Sequence, residues 1–304
     1  MHTLTPPPLP SMLARLPAAL RGALCAVTLG LNTLLVTVGM VPPALLKLLL
    51  PLPAVRRVAD RSPNALASGW VAINNTWIGA VRPAARWDVQ GVADLHPRGW
   101  YLVSANHQSW VDILVLQRIF HGRIPFLKFF LKRELIWVPV IGLAWWALDF
   151  PFMKRGSGAG ARRSDLQTTR AACEKFKRIP TSVINFVEGT RFTPAKHALQ
   201  ASPFRHLLKP KIGGLGIALA TMGEQFEALL DVTIVYGQGT PRFWDLLCGR
   251  IDGVTVRVQQ REIPADVLGG DPIGDRPYRL RISAWVEQQW IEKDRLIDEL
   301  LRRA

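Results

Sequence analysis

Three regimes of apolar and polar patterning follow one another along the 304-residue chain. Residues 23–41 form an unbroken run of nineteen without a charge, about the length that crosses a hydrocarbon core as a helix. Pro42-Pro43 is expected to break the run. The next apolar stretch, 44–55, contains Lys47, Pro51 and Pro53, so it is too short and interrupted to read as a second span. Arg15 and Arg21 would supply the basic flank of a signal peptide, but no small-x-small cleavage site follows promptly, and the segment reads as an uncleaved anchor. Residues 64–82 then set Trp70, Ile73, Trp77 and Val81 at helical spacing, which fits a helix lying on a membrane as well as one packed on a domain.

Past residue 85 the period shortens. Runs at 86–90, 100–105, 182–186, 232–236 and 254–259 read as strands, with helical patterns between several of them. A helix over 112–120 would begin at the turn after the second strand, and Ser164-Asp165-Leu166-Gln167 has the spacing of a capping box before a helix to about residue 178. From Leu280 onward Ile282, Trp285, Val286, Ile297, Leu300 and Leu301 make an amphipathic helix that could dock on the domain or on a membrane. The uncharged run 135–148 holds Pro139 and Gly142, which argue against a regular spanning helix. It is either ordinary core or a wall facing the membrane beside a ligand site. Residues 155–163 are the clearest flexible loop. The expected fold is α/β, a mixed sheet surrounded by helices, with an N-terminal apolar helical anchor; residues 1–60 form the anchoring segment and 61–304 the folded domain.

Charge sharpens this picture. A formal net charge of +15 with 49% hydrophobic residues points to an anionic partner surface, either nucleic acid or membrane lipid. Eleven Trp against three Tyr favours the membrane, since Trp suits the boundary between apolar and polar phases. Neither a zinc-finger spacing nor an RNA-binding aromatic motif is visible, so no nucleic-acid partner is expected. Cys25, Cys173 and Cys248 form no C-x-x-C, which implies a reducing compartment. Arg56, Arg57 and Arg61 on one flank, with Arg15 and Arg21 on the other, favour a cytoplasmic domain. Both flanks lie on that side if the apolar segments form a hairpin bent at Pro42-Pro43, and a single crossing is the alternative.

The residues richest in chemistry are His107 and Asp112, in Asn106-His107-Gln108-Ser109-Trp110-Val111-Asp112 after the second strand. Imidazole titrates near neutrality and can take a proton from a hydroxyl; a carboxylate five residues on, across a strand-to-helix turn, can hold the useful tautomer. A histidine that merely caps a loop is the competing reading of such a pair taken alone. Ser109 would be a nucleophile in a rival scheme, but its short spacing from His107 favours a turn hydrogen bond. A second block reads Phe150-Pro151-Phe152-Met153-Lys154-Arg155, and a third Phe186-Val187-Glu188-Gly189-Thr190-Arg191. Gly189 allows close backbone approach to a ligand, and Thr190 and Arg191 carry donors suited to a phosphate or an oxyanion.

In this order and spacing the three blocks resemble the glycerolipid acyltransferase family typified by lysophosphatidic acid acyltransferases, whose blocks read NHxSxxD, an aromatic run ending in Arg, and FxEGTR. The likeness covers roughly residues 85 to 240. Two departures stand out: Lys154 where the family usually has an acid, and a fourth block, 232–236, without the usual prolines. The resemblance implies an acyltransferase domain in 61–304 and an N-terminal two-helix membrane motif. It implies transfer of a fatty acyl group from acyl-CoA or acyl carrier protein to the free hydroxyl of lysophosphatidic acid, with His107 as base oriented by Asp112. It further implies that Arg155, Glu188, Gly189 and Arg191 bind the glycerol phosphate, joined by Thr190 and by Lys211 at a Lys-x-Gly position. Another lysophospholipid acceptor, or a lipid-binding protein without catalysis, is the alternative.

The basic residues Lys128, Lys132, Arg133, Lys154, Arg155, Arg162 and Arg163 would suit an anionic bilayer, an acidic carrier or the phosphates of CoA, or be a solvated face. No metal and no redox cofactor are expected: His2, His96, His121, His197 and His206 lack ligand spacing, and no dinucleotide fingerprint, Walker lysine or G-x-S-x-G elbow is present. The expected location is a cytoplasmic or cell inner membrane, with the catalytic domain on the cytoplasmic side.

Overall fold

The computed structural model describes residues 12–50, 52–129, 131–150, 152–153, 176 and 180–303. In chain order its helices are α1 (Met12–Arg15), α2 (Ala18–Leu49), α3 (Pro53–Val81), α4 (Val111–Phe120), α5 (Ile141–Ala147), α6 (Pro194–Gln200), α7 (Gly213–Met222), α8 (Phe243–Leu247) and α9 (Arg276–Arg303). The strands are β1 (Arg86–Gln90), β2 (Tyr101–Ala105), β3 (Leu127–Phe129), β4 (Leu131–Lys132), β5 (Phe152–Met153), β6 (Ser182–Phe186), β7 (Ala228–Val235) and β8 (Gly253–Arg261).

Six strands form one mixed sheet in the order β1-β8-β7-β2-β6-β3, antiparallel only between β7 and β8. Every residue of β2 and β7 is buried, as expected for central strands covered on both faces. Their period of two divides the core. Tyr101, Val103, Ala105, Leu230, Val232 and Ile234 pack with α3 and α4, while Leu102, Leu229 and Val235 pack with α7 and α9. The α/β architecture expected from the patterning is therefore the architecture found, and β1 and β6 have the expected limits.

The anchor differs from its expectation in one respect. The helix does not break at Pro42-Pro43; both prolines lie inside α2, which continues to Leu49. Proline removes a donor and crowds the preceding turn. Here the flanking Met40 and Ala44 are clamped in a cluster with Ala67, Ala147, Leu148 and Phe150, and that packing holds the helical path. Reversal comes instead between Leu49 and the start of α3, where Pro53 stands at the head of the helix. α3 runs on through the expected domain boundary near residue 60. A polar seam joins the two helices: Asn32 Nδ2 donates to Trp70 O and Asn74 Oδ1, both at 3.0 Å, and Trp70 Nε1 donates to Thr33 Oγ1 at 2.9 Å. The opposite side of α2, with Val27, Leu31, Leu34, Leu35 and Val38, is exposed. Within α2, residues 18–46 are long and apolar enough to span a membrane by length and composition.

The run 135–148 is not ordinary core. α5 sets Ala144, Trp145, Ala147 and Leu148 against α2 and α3, while Trp137 is 84% exposed and Ile141, Leu143 and Trp146 also face outward. Lys128, expected on a basic surface, is buried in β3, where its ammonium donates to Leu148 O at 3.0 Å and lies over the Phe176 ring. The expected helix 164–178, the loop 155–163, Lys154 and Arg155 lie outside the described residues. Helices α6 and α7 were not foreshadowed by the hydrophobic pattern.

Candidate active site

β2 ends at Ala105, and the next residues cross the carboxyl ends of the parallel strands, the usual ligand edge of an open α/β sheet. Asn106 anchors this crossing: its amide donates to Ile234 O at 2.9 Å and accepts from Ile234 N at 2.8 Å, so the turn is tied to β7. The chain then drops into α4, whose first turn carries Asp112.

Asp112 is fully buried and gathers four donors. Its Oδ2 receives Gln108 N at 2.6 Å and Ser109 N at 2.8 Å, and stands 2.9 Å from His107 Nδ1. Its Oδ1 receives the phenolic hydroxyl of Tyr236 at 2.6 Å. An oxygen already accepting two amide hydrogens calls for a donor at the third position. The His107 tautomer that fits has its proton on Nδ1, leaving the Nε2 lone pair for another molecule. Burial and the neighbouring Asp112 carboxylate push the Tyr236 phenol well above its ordinary range, so Tyr236 stays a donor. The imidazole is stacked on Phe186 with centroids 3.9 Å apart and keeps a small open edge, His107 being 8% exposed.

Ser109 takes the structural role. Its hydroxyl donates to Pro241 O at 2.6 Å and accepts from Val111 N at 3.1 Å, which occupies the oxygen in the turn.

The third block lies beside the first because β6 and β2 are hydrogen-bonded neighbours. Phe192 N donates to His107 O at 2.7 Å, binding the two loops together. Glu188 was expected among the substrate contacts, and the structure gives it another place. It is wholly buried, with Oε1 accepting His107 N at 2.8 Å and Oε2 accepting Leu208 N at 3.0 Å. A side chain so placed touches the backbone of the site and not the space before it. Burial pushes Glu188 up to about 7 and Asp112 adds to the rise; the two amides and Lys293 oppose it.

The remaining residues of the block reach outward. Gly189 has φ of 69°, a conformation side chains other than glycine rarely adopt, and a Cβ there would meet Lys211 Cδ at 3.2 Å. Lys211 is exposed, its own amide bonded to Val187 O at 2.7 Å. Arg191 is exposed and its guanidinium lies 4.9 Å from the centre of the Trp110 ring. Thr190 accepts from Lys196 Nζ at 2.7 Å, and the same ammonium reaches Arg191 O at 3.1 Å. The structure thus brings together His107, Asp112, Glu188, Gly189, Thr190, Arg191 and Lys211. Sequence reasoning assigned no role to Asn106, Phe186, Lys196 or Tyr236. Adjacency to His107 was a usable signal for Asn106; for Tyr236, just past β7 and 124 residues after Asp112, the signal was its place at the end of the fourth block.

Comparison with known proteins gives a consistent result. The family model described as Acyltransferase matches residues 86–236. The chain is 25% identical to the 1-acyl-sn-glycerol-3-phosphate acyltransferase gamma of Mus musculus, over 79% of this chain and 63% of the relative. It is 24% identical to the 1-acyl-sn-glycerol-3-phosphate acyltransferase 3 of Arabidopsis thaliana, over 65% of this chain and 53% of the relative. The chain therefore spans between about half and just under two thirds of the length of these curated relatives. In fold it is similar to the crystal structure of the 1-acyl-sn-glycerophosphate acyltransferase PlsC from Thermotoga maritima. That likeness has a TM-score of 0.55 at 19% identity, over 93% of this chain and 98% of the other.

Proposed function

This chain belongs, through residues 86–236, to the acyltransferase family, and from that premise we propose that it is a membrane-bound O-acyltransferase. It moves a fatty acyl group from a thioester, acyl-CoA or acyl carrier protein, to the free hydroxyl of lysophosphatidic acid. The observation that carries the reading is the 2.9 Å contact of His107 Nδ1 with Asp112 Oδ2, which leaves Nε2 as a base at the strand ends.

In the transfer step Nε2 of His107 takes the hydroxyl proton while the acceptor oxygen attacks the thioester carbonyl. The C–O bond forms, the C–S bond breaks, and the departing thiolate takes the proton from the imidazolium. Asp112 stabilises the imidazolium, and such a base contributes about 10²- to 10⁴-fold in rate. No enzyme-bound acyl group is needed, because the thioester is already activated. Arg191 and Lys211 hold the headgroup phosphate with Arg155 of the second block, while Gly189 lets the backbone come close and Thr190 lends a hydroxyl.

The membrane assignment rests on the unpartnered apolar side of α2, the outward Trp137 and Trp146, and the net charge of +15. A strained turn at Val140, with φ of 65° and Ile141 N bonded to Pro139 O at 2.7 Å, separates Trp137 from α5. Arg15 and Arg21, at the end of α2 that packs beside α8 on the domain, favour a cytoplasmic domain on the cytoplasmic membrane.

The test is to incubate the purified protein in detergent with acyl-CoA and a panel of lysophospholipids, reading products by mass spectrometry beside His107→Ala. Phosphatidic acid formed by the wild type and absent with the variant is expected. Product with another lysophospholipid alone would change the acceptor. Thioester left intact with every acceptor, and with acyl carrier protein in place of CoA, would overturn the reading.

A further inference from the structure

Behind the site a buried charge sits on the C-terminal helix, outside the residues that the family match covers. Lys293 of α9 is 1% exposed, and its ammonium lies 2.5 Å from both Asp231 Oδ1 and Val232 O on β7. Arg261 of β8 closes the far side, with Nε 3.1 Å from Asp231 Oδ2 and Nη2 2.7 Å from Glu292. One turn away Trp290, fully buried, donates its Nε1 hydrogen to Leu208 O at 3.1 Å. The amide of Leu208 binds Glu188 Oε2, and Glu188 Oε1 holds the amide of His107. A hydrogen-bonded path thus runs from α9 through residue 208 and Glu188 to the base.

Burying an ammonium and a carboxylate together often costs more than their attraction returns, so simple stability does not account for such a pair. We propose that Lys293 and Trp290 are positioning residues for His107, acting through Glu188. The inference rests on the assignment of His107 as the base.

The reason lies in what Glu188 must do. It accepts two amide hydrogens, one on each oxygen, and only the carboxylate does both without giving up an acceptor to its own proton. The charged groups acting on it are Lys293 from α9 and Asp112 from α4, of opposite effect, and burial opposes ionisation further. Those acting on Lys293 are Asp231, Glu188 and Arg261. Lys293 anchors α9 to β7 and favours the ionised form of Glu188 against its burial, and Trp290 on the same helix fixes residue 208, the second donor to Glu188.

The experiment compares wild type with Lys293→Met, Lys293→Arg and Trp290→Phe, and with Lys293→Met in a Glu188→Gln background. Thermal melts report folding, the pH profile of kcat reports function, and the infrared carbonyl band of the protonated Glu188 carboxyl, identified by its loss in Glu188→Gln, reports ionisation without substrate. In Lys293→Met the infrared midpoint and the acidic limb of the kcat profile should both move to higher pH, with KM little changed. Below the midpoint, each unit of that shift removes up to about tenfold of the ionised form. Lys293→Arg should restore the profile, and the Glu188→Gln background should abolish the shift. An unmoved midpoint, or a kcat lowered equally at every pH in a folded variant, would overturn the proposal. Should Lys293→Met not fold, Trp290→Phe decides: a folded variant with unchanged kcat overturns it. If wild type consumes no thioester, the proposed activity has failed, and the infrared midpoint still reports whether Lys293 controls Glu188.

Discussion

The hydroxyl of Tyr236 donates to Oδ1 of Asp112 at 2.6 Å, from a residue 124 positions further along the chain. The carboxylate that orients His107 is thus held from two sides, by its own turn and by the end of β7. Tyr236→Phe keeps the ring and removes the donor, leaving Oδ1 of a buried carboxylate short of a partner. The expected result is kcat lower by about tenfold with KM little changed, and stability lower by about 1–3 kcal/mol. Steady-state kinetics beside thermal melts check both; an unchanged kcat would remove Tyr236 from the orienting set.

Glu188 makes folding depend on pH in a defined direction. Its carboxyl is pushed up to about 7 in the folded protein from an ordinary 4.5, so between those values the folded state binds more protons than the unfolded chain. Its contribution to stability is full below the lower value and is lost as pH rises through the upper one. Glu188→Gln cannot titrate. The stability difference between variant and wild type should therefore move in favour of Gln as pH rises from 4.5 to 7, by at most about 1.4 kcal/mol per pH unit. Denaturant midpoints across that range measure it, and a flat difference would place the Glu188 titration elsewhere.

Gly189 separates ground-state binding from chemistry. Alanine at φ of 69° costs about 1–2 kcal/mol, and its methyl displaces the Lys211 stem, 3.2 Å away. Because Lys211 is assigned to the acceptor phosphate, Gly189→Ala should raise the acceptor KM more than it lowers kcat. Equal KM values would argue against a phosphate grip at this turn.

Among the described residues Trp137 is the most exposed aromatic side chain, at 84%. In vesicles carrying brominated acyl chains, a share of the tryptophan fluorescence should be quenched in the wild type and missing from the quenched component in Trp137→Phe. Identical quenching of the two proteins would place Trp137 in water.

Much of the architecture was legible in the chain because local rules govern it. Short runs rich in apolar and β-branched residues marked β1, β2, β6, β7 and β8, and a turn followed by apolar helical spacing marked α4. The two recognisable blocks likewise place His107, Asp112 and Glu188 within a few residues of β2 and β6, where short-range geometry carries them to one edge of the sheet. The proline pair at 42 and 43 misled for the opposite reason. Its local penalty is real, but the packing of Met40 and Ala44 outweighs it, and no window of sequence contains that packing.

By itself, then, the sequence determined the sheet-and-helix class, the apolar N-terminal helix and the pairing of His107 with Asp112 across one turn, all properties of periodicity or of neighbours along the chain. Only the tertiary structure decided that Glu188 grips the backbone of His107, that Tyr236 completes Asp112, that Lys128 turns inward, and that Lys293 stands behind the site. Each of these depends on contacts between segments brought together by strand order and layer packing, and the energy of a buried charge is set by those neighbours, whatever their distance in sequence.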